Sequence, residues 1–503
     1  MTGMMFRNVR LFDLERSEGM SPACDLRVKG GKVAQIGPDL TPEPDEEIIE
    51  GHVNLLMPGL INGHFHSAVN HMKGRLPSLP LEVFMLYECP ELEVLRPTPR
   101  EAYLRTMLGC IEMLRSGTTS VQDDCFFVPA PEPEIIDAVA QAYTDSGMRA
   151  RLALDQPELS ELEKLPFLRD ILPDDLRHEL SVPTGAPASA LLESYAHLID
   201  TWHDTSDGRI KAAVSCSAPQ RVSPDYFAQL DDLSIRNDLP FYAHMLETRL
   251  QRVFGEVCLS GRSLVRYTHD LGLLSDRMNV IHAIWVDDPD LDLLAASGAS
   301  VAHNPNSNLR LGSGVMRWRA IQDRKIPVCL GVDEAIADDA INMWSVMKTA
   351  ASLHTLSDWD YERWPQAVEV LNAATQGGGT AMREPGLGTM AIGAPADLIL
   401  IDLKALPFVP LNNLPRQLVH CELGQSVRLT MVAGRVVTRN GRLQTVDEDA
   451  ILAEASAVFA GKQNAMNLAD KRVEKFLPYY REMYLRAGQY DLPVERRIDH
   501  LAR

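Results

Sequence analysis

The feature that most restricts how this chain can fold is an alternation running through residues 57–385. Eight apolar runs of strand length are each followed by a stretch with helix signals. The runs are "MPGLINGHFH", "TTSVQDD", "RARLALDQ", "IKAAVSCS", "LPFYAHML", "MNVIHAIW", "ASVAHNPN" and "IPVCLGVDE". The helix signals are specific. In "TPREAYLRTMLGCIEMLRSG", Thr98 reads as the N-cap, Pro99 as the first helical residue, Glu101 as the capping-box partner and Gly117 as the stop. Ser223 and Pro224 open "SPDYFAQLDDLSIRND" in the same way. Eight β–α units over about 280 residues match the count and size of a (β/α)8 barrel. The expected fold class is therefore α/β, a TIM-like barrel. A doubly wound open sheet is the alternative. It would bind its ligand at a single switch point, whereas here polar residues end many of the runs.

The two ends of the chain share a different texture. "MFRNVRLFD", "DLRVKGGKVAQIG" and "EEIIEGHVNLLMPG" alternate apolar and polar residues around turn formers, and "ADLILIDL" and "VRLTMVAGRVVTRNGRL" repeat that pattern late in the sequence. Residues 1–56 and 386–445 are expected to fold together as one small β-sandwich domain, interrupted by the barrel. Residues 157–186 form an acidic, proline-punctuated insertion, read as a lid or a subunit contact. Residues 446–503 read as a charged helical extension that packs on a surface or on a neighbouring subunit.

Composition narrows the partners. Of the 503 residues, 49 are Lys or Arg and 69 are Asp or Glu, a net charge of −20. That charge repels phosphate backbones and anionic lipid, so neither nucleic acid nor membrane is an expected partner. No stretch approaches the roughly 20 apolar residues of a membrane span. "MTGMMFRNVRLFDLE" has no apolar core of a signal peptide. The eight cysteines are scattered without a CxxC pair, as expected of a reduced cytoplasmic chain.

In a strand, residues i and i+2 point to one side, so His64 and His66 of "GHFH" face together near the C-terminal end of the first barrel strand. In a barrel that end is the active-site face. His244 ends the fifth run with Glu247 just beyond it, His282 ends the sixth and Asp333 ends the eighth. Each alone also reads as a core histidine or a turn-forming aspartate. Together at one mouth, imidazoles and a carboxylate suit zinc or iron.

On "LMPGLINGHFH", "RSGTTSVQD", "HMLET", "HAIWV", "AHNPNSNLRLGSG", "GVDE" and "GLGTMAIGAPADLILIDL", the chain resembles the amidohydrolase superfamily. The resemblance is to the branch holding triazine hydrolases and the cytosine, guanine and adenosyl-type deaminases, and it extends to about residue 445. It implies that His64, His66, His244 and Asp333 hold one divalent metal, Zn2+ or Fe2+. It further implies that His282 positions or deprotonates the attacking water and that Glu247 passes a proton to a ring nitrogen. Asn304 and Asn308 are implied to shape the substrate pocket, and His303 is read as structural. Lys211 lies at the beginning of the fourth strand, whose far end offers Ser215, Cys216 and Ser217, so no lysine bridge for a second metal is expected. The resemblance also implies a homodimer or higher oligomer.

The chain departs from that branch in places. Glu334 follows Asp333 where glycine is usual, Asp338 and Asp339 stand in "AIADD", the second strand ends in "QDD", and Gln220 is the nearest counterpart of a substrate-contacting histidine. These acids read either as solvated loop or as a pocket for a cationic or donor-rich substrate such as an amino-heterocycle, guanidine or amidine. The first functional expectation is deamination of an amino-substituted N-heterocycle. The second is hydrolysis of an exocyclic amide, urea, alkylamino or halide bond. The third, from another class, is a binding scaffold without catalysis.

Overall fold

The computed structural model describes residues 3–88, 93–127, 130–338 and 340–497. Asp339 and Cys89 lie outside the described residues. The eight runs form eight parallel strands. The first is Leu60–His66, followed by Thr118–Cys125 and Arg149–Leu154. The fourth is broken at Ala213 into Ile210–Ala212 and Val214–Ser215. The fifth to seventh are Phe241–Met245, Met278–His282 and Ser300–His303. The eighth is broken into Val328–Leu330 and Asp333–Glu334. The two breaks let the sheet turn its corners. Ile210–Ala212 pairs with the third strand and Val214–Ser215 with the fifth. Val328–Leu330 pairs with the seventh strand, and Asp333–Glu334 pairs back onto the first. Two five-stranded arcs thus share the fourth and eighth strands and make a TIM barrel. Almost every strand residue is buried, as parallel strands covered on both faces require.

Local signals set the surrounding helices as expected. The helix Pro99–Arg115 starts with a full capping box: the Glu101 amide donates to Thr98 Oγ1 at 3.3 Å, and the Thr98 amide donates to Glu101 Oε2 at 2.8 Å. Ser223 caps Pro224–Arg236 by accepting from the Tyr226 amide. No helix among the described residues is long and apolar enough to cross a membrane.

Both chain ends join one nine-stranded sheet. Leu398–Ile401 pairs antiparallel with Leu55–Pro58 on one side and Val427–Val432 on the other, and Leu55–Leu56 pairs with Arg10–Leu11. Eight of its strands among the described residues follow one hydrogen-bonded path, and Glu47–Glu50 pairs beside Met4–Leu11 off that path, around a core containing Phe6, Val9, Leu26, Leu56, Leu398 and Met431. A buried ion pair ties this domain to the barrel. Asp397 accepts from Arg149 at 2.7 Å and 3.1 Å, and also from Ser120 and the Ala433 amide.

The insertion and the tail meet over the barrel mouth of their own chain. Leu162, Leu168 and Leu172 from the insertion pack with Phe476, Tyr480 and Met483 from the tail, together with Val83 and Leu250. Among the described residues the helices of the tail are Glu448–Ala460, Gln463–Val473 and Leu477–Gln489.

Asp397→Ala leaves the Arg149 guanidinium buried and unpaired. The expected loss is about 3–5 kcal/mol of unfolding free energy, the range for breaking a buried pair, read as a lower urea midpoint at unchanged slope.

Candidate metal centre

The strand ends bring the expected ligands together. His64 Nε2 lies 3.4 Å and His66 Nε2 3.6 Å from the same oxygen, Asp333 Oδ1. His244 Nε2 lies 3.2 Å from His64 Nε2. Bonds of about 2.0–2.1 Å to a tetrahedral ion place ligand atoms roughly 3.3–3.4 Å apart, so these spacings fit one divalent ion among the four side chains. The pairing Asp333↔Phe65 and Glu334↔His66 puts the aspartate beside both histidines. Close approach of the first and eighth strands explains Gly331: a Cβ there would meet the His64 backbone nitrogen at 2.9 Å and Asn304 Oδ1 at 2.4 Å.

Hydrogen bonds fix which nitrogens face the centre. His66 Nδ1 bonds the Asp124 carbonyl at 2.5 Å and His244 Nδ1 bonds the Ser217 carbonyl at 2.7 Å. A carbonyl can only accept, so each Nδ1 carries the proton and each Nε2 presents a lone pair. The His244 lone pair points at His64 Nε2, 3.2 Å away, so the two nitrogens face one shared space. Burial, reinforced by the neighbouring imidazoles, holds His244 well below the usual histidine range. Burial likewise pulls His64 down to about 4. Burial pushes His66 the same way, but Asp333, Asp155 and Glu88 outweigh it and leave His66 raised. Burial would lift Asp333, yet its hydrogen bond to His64 and the surrounding imidazoles keep it low and ionised. Ser307 Oγ donates to Asp333 Oδ2 at 2.7 Å. The donor set therefore fits a divalent metal.

His282 and Glu247 stand at the side of this cluster. His282 Nε2 is 3.7 Å from Asp333 Oδ2 and 3.5 Å from Glu247 Oε2. Burial, with Asp333 and Glu82 nearby, raises Glu247 well above the usual carboxyl range. Backbone strain gathers here. Ser217, Leu246, His282, Ala283 and Asp333 all have φ between +47° and +75°. Such positions cost about 1–3 kcal/mol each and persist where the surroundings over-determine them.

Other expected residues sit differently. Asn308 Oδ1 accepts from His282 Nδ1 at 2.9 Å, and Asn304 Nδ2 lies 3.3 Å from the same nitrogen. Asn308 holds the histidine ring, Asn304 packs beside it, and neither is among the residues lining the pocket. Gln220 lines an adjacent cavity, while its neighbour Arg221 lines the metal pocket. Glu334 does line the pocket. The solvated-loop reading fails for Asp123 and Asp124, which are buried. Asp123 accepts from the Ser67 amide and the Tyr143 hydroxyl, and Asp124 from Ser215. Asp338 is held by Asn306. His303 pairs with His354 behind the site at 2.9 Å. Lys211 is 2.6 Å from Glu384, away from the centre.

The sequence reading missed Glu88, Phe126, Asp155, Met85 and Arg221 on the pocket wall. Asp155 directly follows the third strand, Arg149–Leu154, so the strand-end rule that found Asp333 could have found it. Glu88 closes a short helix, Leu81–Glu88, and no local pattern marks it.

Parallel barrel, converging strand ends and a His–Asp donor set together define a metal-dependent hydrolase. Residues 55–437 match the Amidohydrolase family, and the chain belongs to that family, whose members hydrolyse carbon–nitrogen bonds. It is 34% identical over 443 residues to a 5-methylthioadenosine/S-adenosylhomocysteine deaminase of Nitratidesulfovibrio vulgaris, covering 85% of this chain and 90% of that protein. It is 28% identical over 455 residues to a 5'-deoxyadenosine deaminase of Methanosarcina barkeri, covering 90% and 97%. Its structure is similar to that of atrazine chlorohydrolase from Arthrobacter aurescens TC1 complexed with zinc. The TM-score is 0.80 at 25% identity, covering 91% of this chain and all of the other.

Replacing His66 with Ala removes one imidazole while leaving the strand's backbone pairing in place. Metal per chain, measured by elemental analysis after gel filtration, is expected to fall below half the wild-type value with an unchanged circular dichroism spectrum.

Proposed function

We propose that the chain is an aminohydrolase that releases ammonia from an amino-substituted purine of the adenosine type. The observation that carries this reading is Glu247, a buried carboxyl that burial pushes well above the usual carboxylate range, 3.5 Å from His282 beside the His–Asp cluster. Replacing C–NH2 by C=O needs an acid at the neighbouring ring nitrogen as water attacks the carbon, and Glu247 is placed to be that acid.

When bound, the divalent ion supplies Lewis acidity that lowers the pKa of a coordinated water to about 7. The remaining work falls to side chains. Asp333 Oδ2, low in pKa and fixed by Ser307, takes the proton from the attacking water. His282, its ring held by Asn308, orients that water from the other side. Glu247 donates to the ring nitrogen, which lets the carbon become tetrahedral without building negative charge on the ring. The proton on Asp333 then passes to the amino group and ammonia leaves; as the carbonyl forms, the new hydroxyl gives its proton to Glu247, while the ring nitrogen keeps the one it received. Water and the amine are consumed, carbonyl product and ammonia are formed, and both carboxyl groups return to their starting states.

The rest of the pocket supports a donor-rich substrate. Glu88, Asp155 and Glu334 face it, with Arg221 as a cation. Carboxyl oxygens accept from amino and hydroxyl groups, which an adenosine-type compound offers. We read the site as holding one ion, zinc or iron, because Lys211 is engaged elsewhere. The expected setting is a cytosolic homo-oligomer. A second reading, hydrolysis of a halide or alkylamino substituent on a triazine, is favoured by the likeness to atrazine chlorohydrolase.

Ammonia release from adenosine, 5'-deoxyadenosine, 5-methylthioadenosine and S-adenosylhomocysteine tests the proposal, with chloro- and alkylamino-triazines as the contrast. Chloride or amine in place of ammonia would transfer the assignment to the second reading. Glu247→Gln is expected to keep its metal and lose about 10²–10⁴ in kcat, the range for general acid catalysis. Loss of metal in that variant would mean that Glu247 is a ligand instead.

A further inference from the structure

The C-terminal tail lies beyond the segment that matches the family, yet its last described residues reach two loops that adjoin the proposed catalytic groups. Arg496 is the point of contact. Its Nε donates to the Ile284 carbonyl at 3.1 Å and its Nη2 to the Val286 carbonyl at 2.5 Å. Its own carbonyl accepts from the Val315 amide at 2.9 Å.

One residue therefore grips two loops. The first follows His282 in the sixth strand. The second carries Ser313, whose hydroxyl donates to Glu247 Oε1 at 3.3 Å and whose carbonyl accepts from Trp285 Nε1 at 2.8 Å. The fit is close: a Cβ on Gly314 would meet the Arg496 carbonyl oxygen at 2.9 Å and Ile284 Cγ2 at 3.1 Å.

The tail is itself anchored beside the site. Arg249, two residues beyond Glu247, donates to the carbonyls of Ala487 at 2.9 Å and Tyr490 at 2.6 Å, and pairs with Glu495 at 2.9 Å. Its guanidinium also stacks 5.3 Å from the Trp285 ring. The Arg496 guanidinium donates to the main-chain carbonyls of Ile284, Val286 and Glu495. An arginine spent on main-chain carbonyls holds backbone in place. The backbone it holds is the stretch just after the left-handed His282 and Ala283, where relaxation would otherwise be favourable.

We infer that Arg496 is a positioning residue: through the 284–286 and 313–315 loops it sets the placement of His282 and Glu247, and so makes the C-terminal tail part of the catalytic apparatus. The catalytic half of this inference rests on the roles given above to those two residues; the clamp itself does not.

Two readouts separate them. In Arg496→Ala, hydrogen exchange at the amides of residues 283–286 and 313–316 is expected to rise at least tenfold, with exchange in the first strand and metal per chain unchanged. In the same protein, kcat per bound metal for ammonia release is expected to fall at least tenfold with KM within threefold. Arg496→Lys, which keeps a cation but cannot span both carbonyls, should recover part of the loss and serves as the reading if the alanine variant does not fold. Unchanged exchange in both loops would overturn the clamp. Faster exchange with wild-type kcat per metal would overturn the positioning role. A wild-type enzyme that releases no ammonia would instead remove the proposed function and leave the exchange result standing.

Discussion

The short parallel pairing of Asp333–Glu334 with Phe65–His66 is the interaction on which the centre depends. It links the eighth strand to the first, and it brings the Asp333 carboxylate to the histidines of the first strand. The eighth strand reaches this register only by breaking after Leu330, where Gly331 allows the backbones to touch and Asn62 Oδ1 accepts from the Val332 amide at 3.0 Å. Closure of the sheet and assembly of the donor set are thus one event. A change that opens the barrel at this seam removes Asp333 from the imidazoles before it disturbs the outer helices.

Burial gives the centre its chemistry. Enclosed by the strand ends, the His64 and His244 imidazoles are pushed toward their neutral form and the Glu247 carboxyl toward its protonated form. Asp333 and His66 go the other way: hydrogen bonds and imidazoles favour the charge of Asp333, and neighbouring carboxyl groups favour that of His66, more strongly than burial opposes them. Two carboxyl groups in one pocket are therefore pushed apart in acidity, in the directions that the proposed proton transfers require.

Much of this was legible in the sequence because it follows from period and position. The two-residue spacing of His64 and His66, and polar residues ending apolar runs at 244, 282 and 333, need only the geometry of a parallel barrel to converge. The capping box at Thr98 and Glu101 is equally local. What escaped depends on contacts between segments distant in sequence. Glu88 reaches the pocket because a helix folds back over the mouth, and Asn304 and Asn308 turn toward His282, away from the substrate space, because a helix begins at Pro305. The tail offered only charge and aromatic residues; that it lies on its own barrel is decided by apolar partners in the insertion.

The interleaved β-domain has a consequence for the order in which the molecule can be made. Leu55–Pro58 lies between Met4–Leu11 and Leu398–Ile401 in the finished sheet. On a ribosome the first of these neighbours is present early, and the second emerges only after the entire barrel has been synthesised. Until then a wholly apolar strand keeps one open edge, and Arg149 waits at the start of the third strand for Asp397. The nascent chain thus carries an adhesive edge and an unneutralised charge through most of its synthesis, and only the arrival of its last strands seals both.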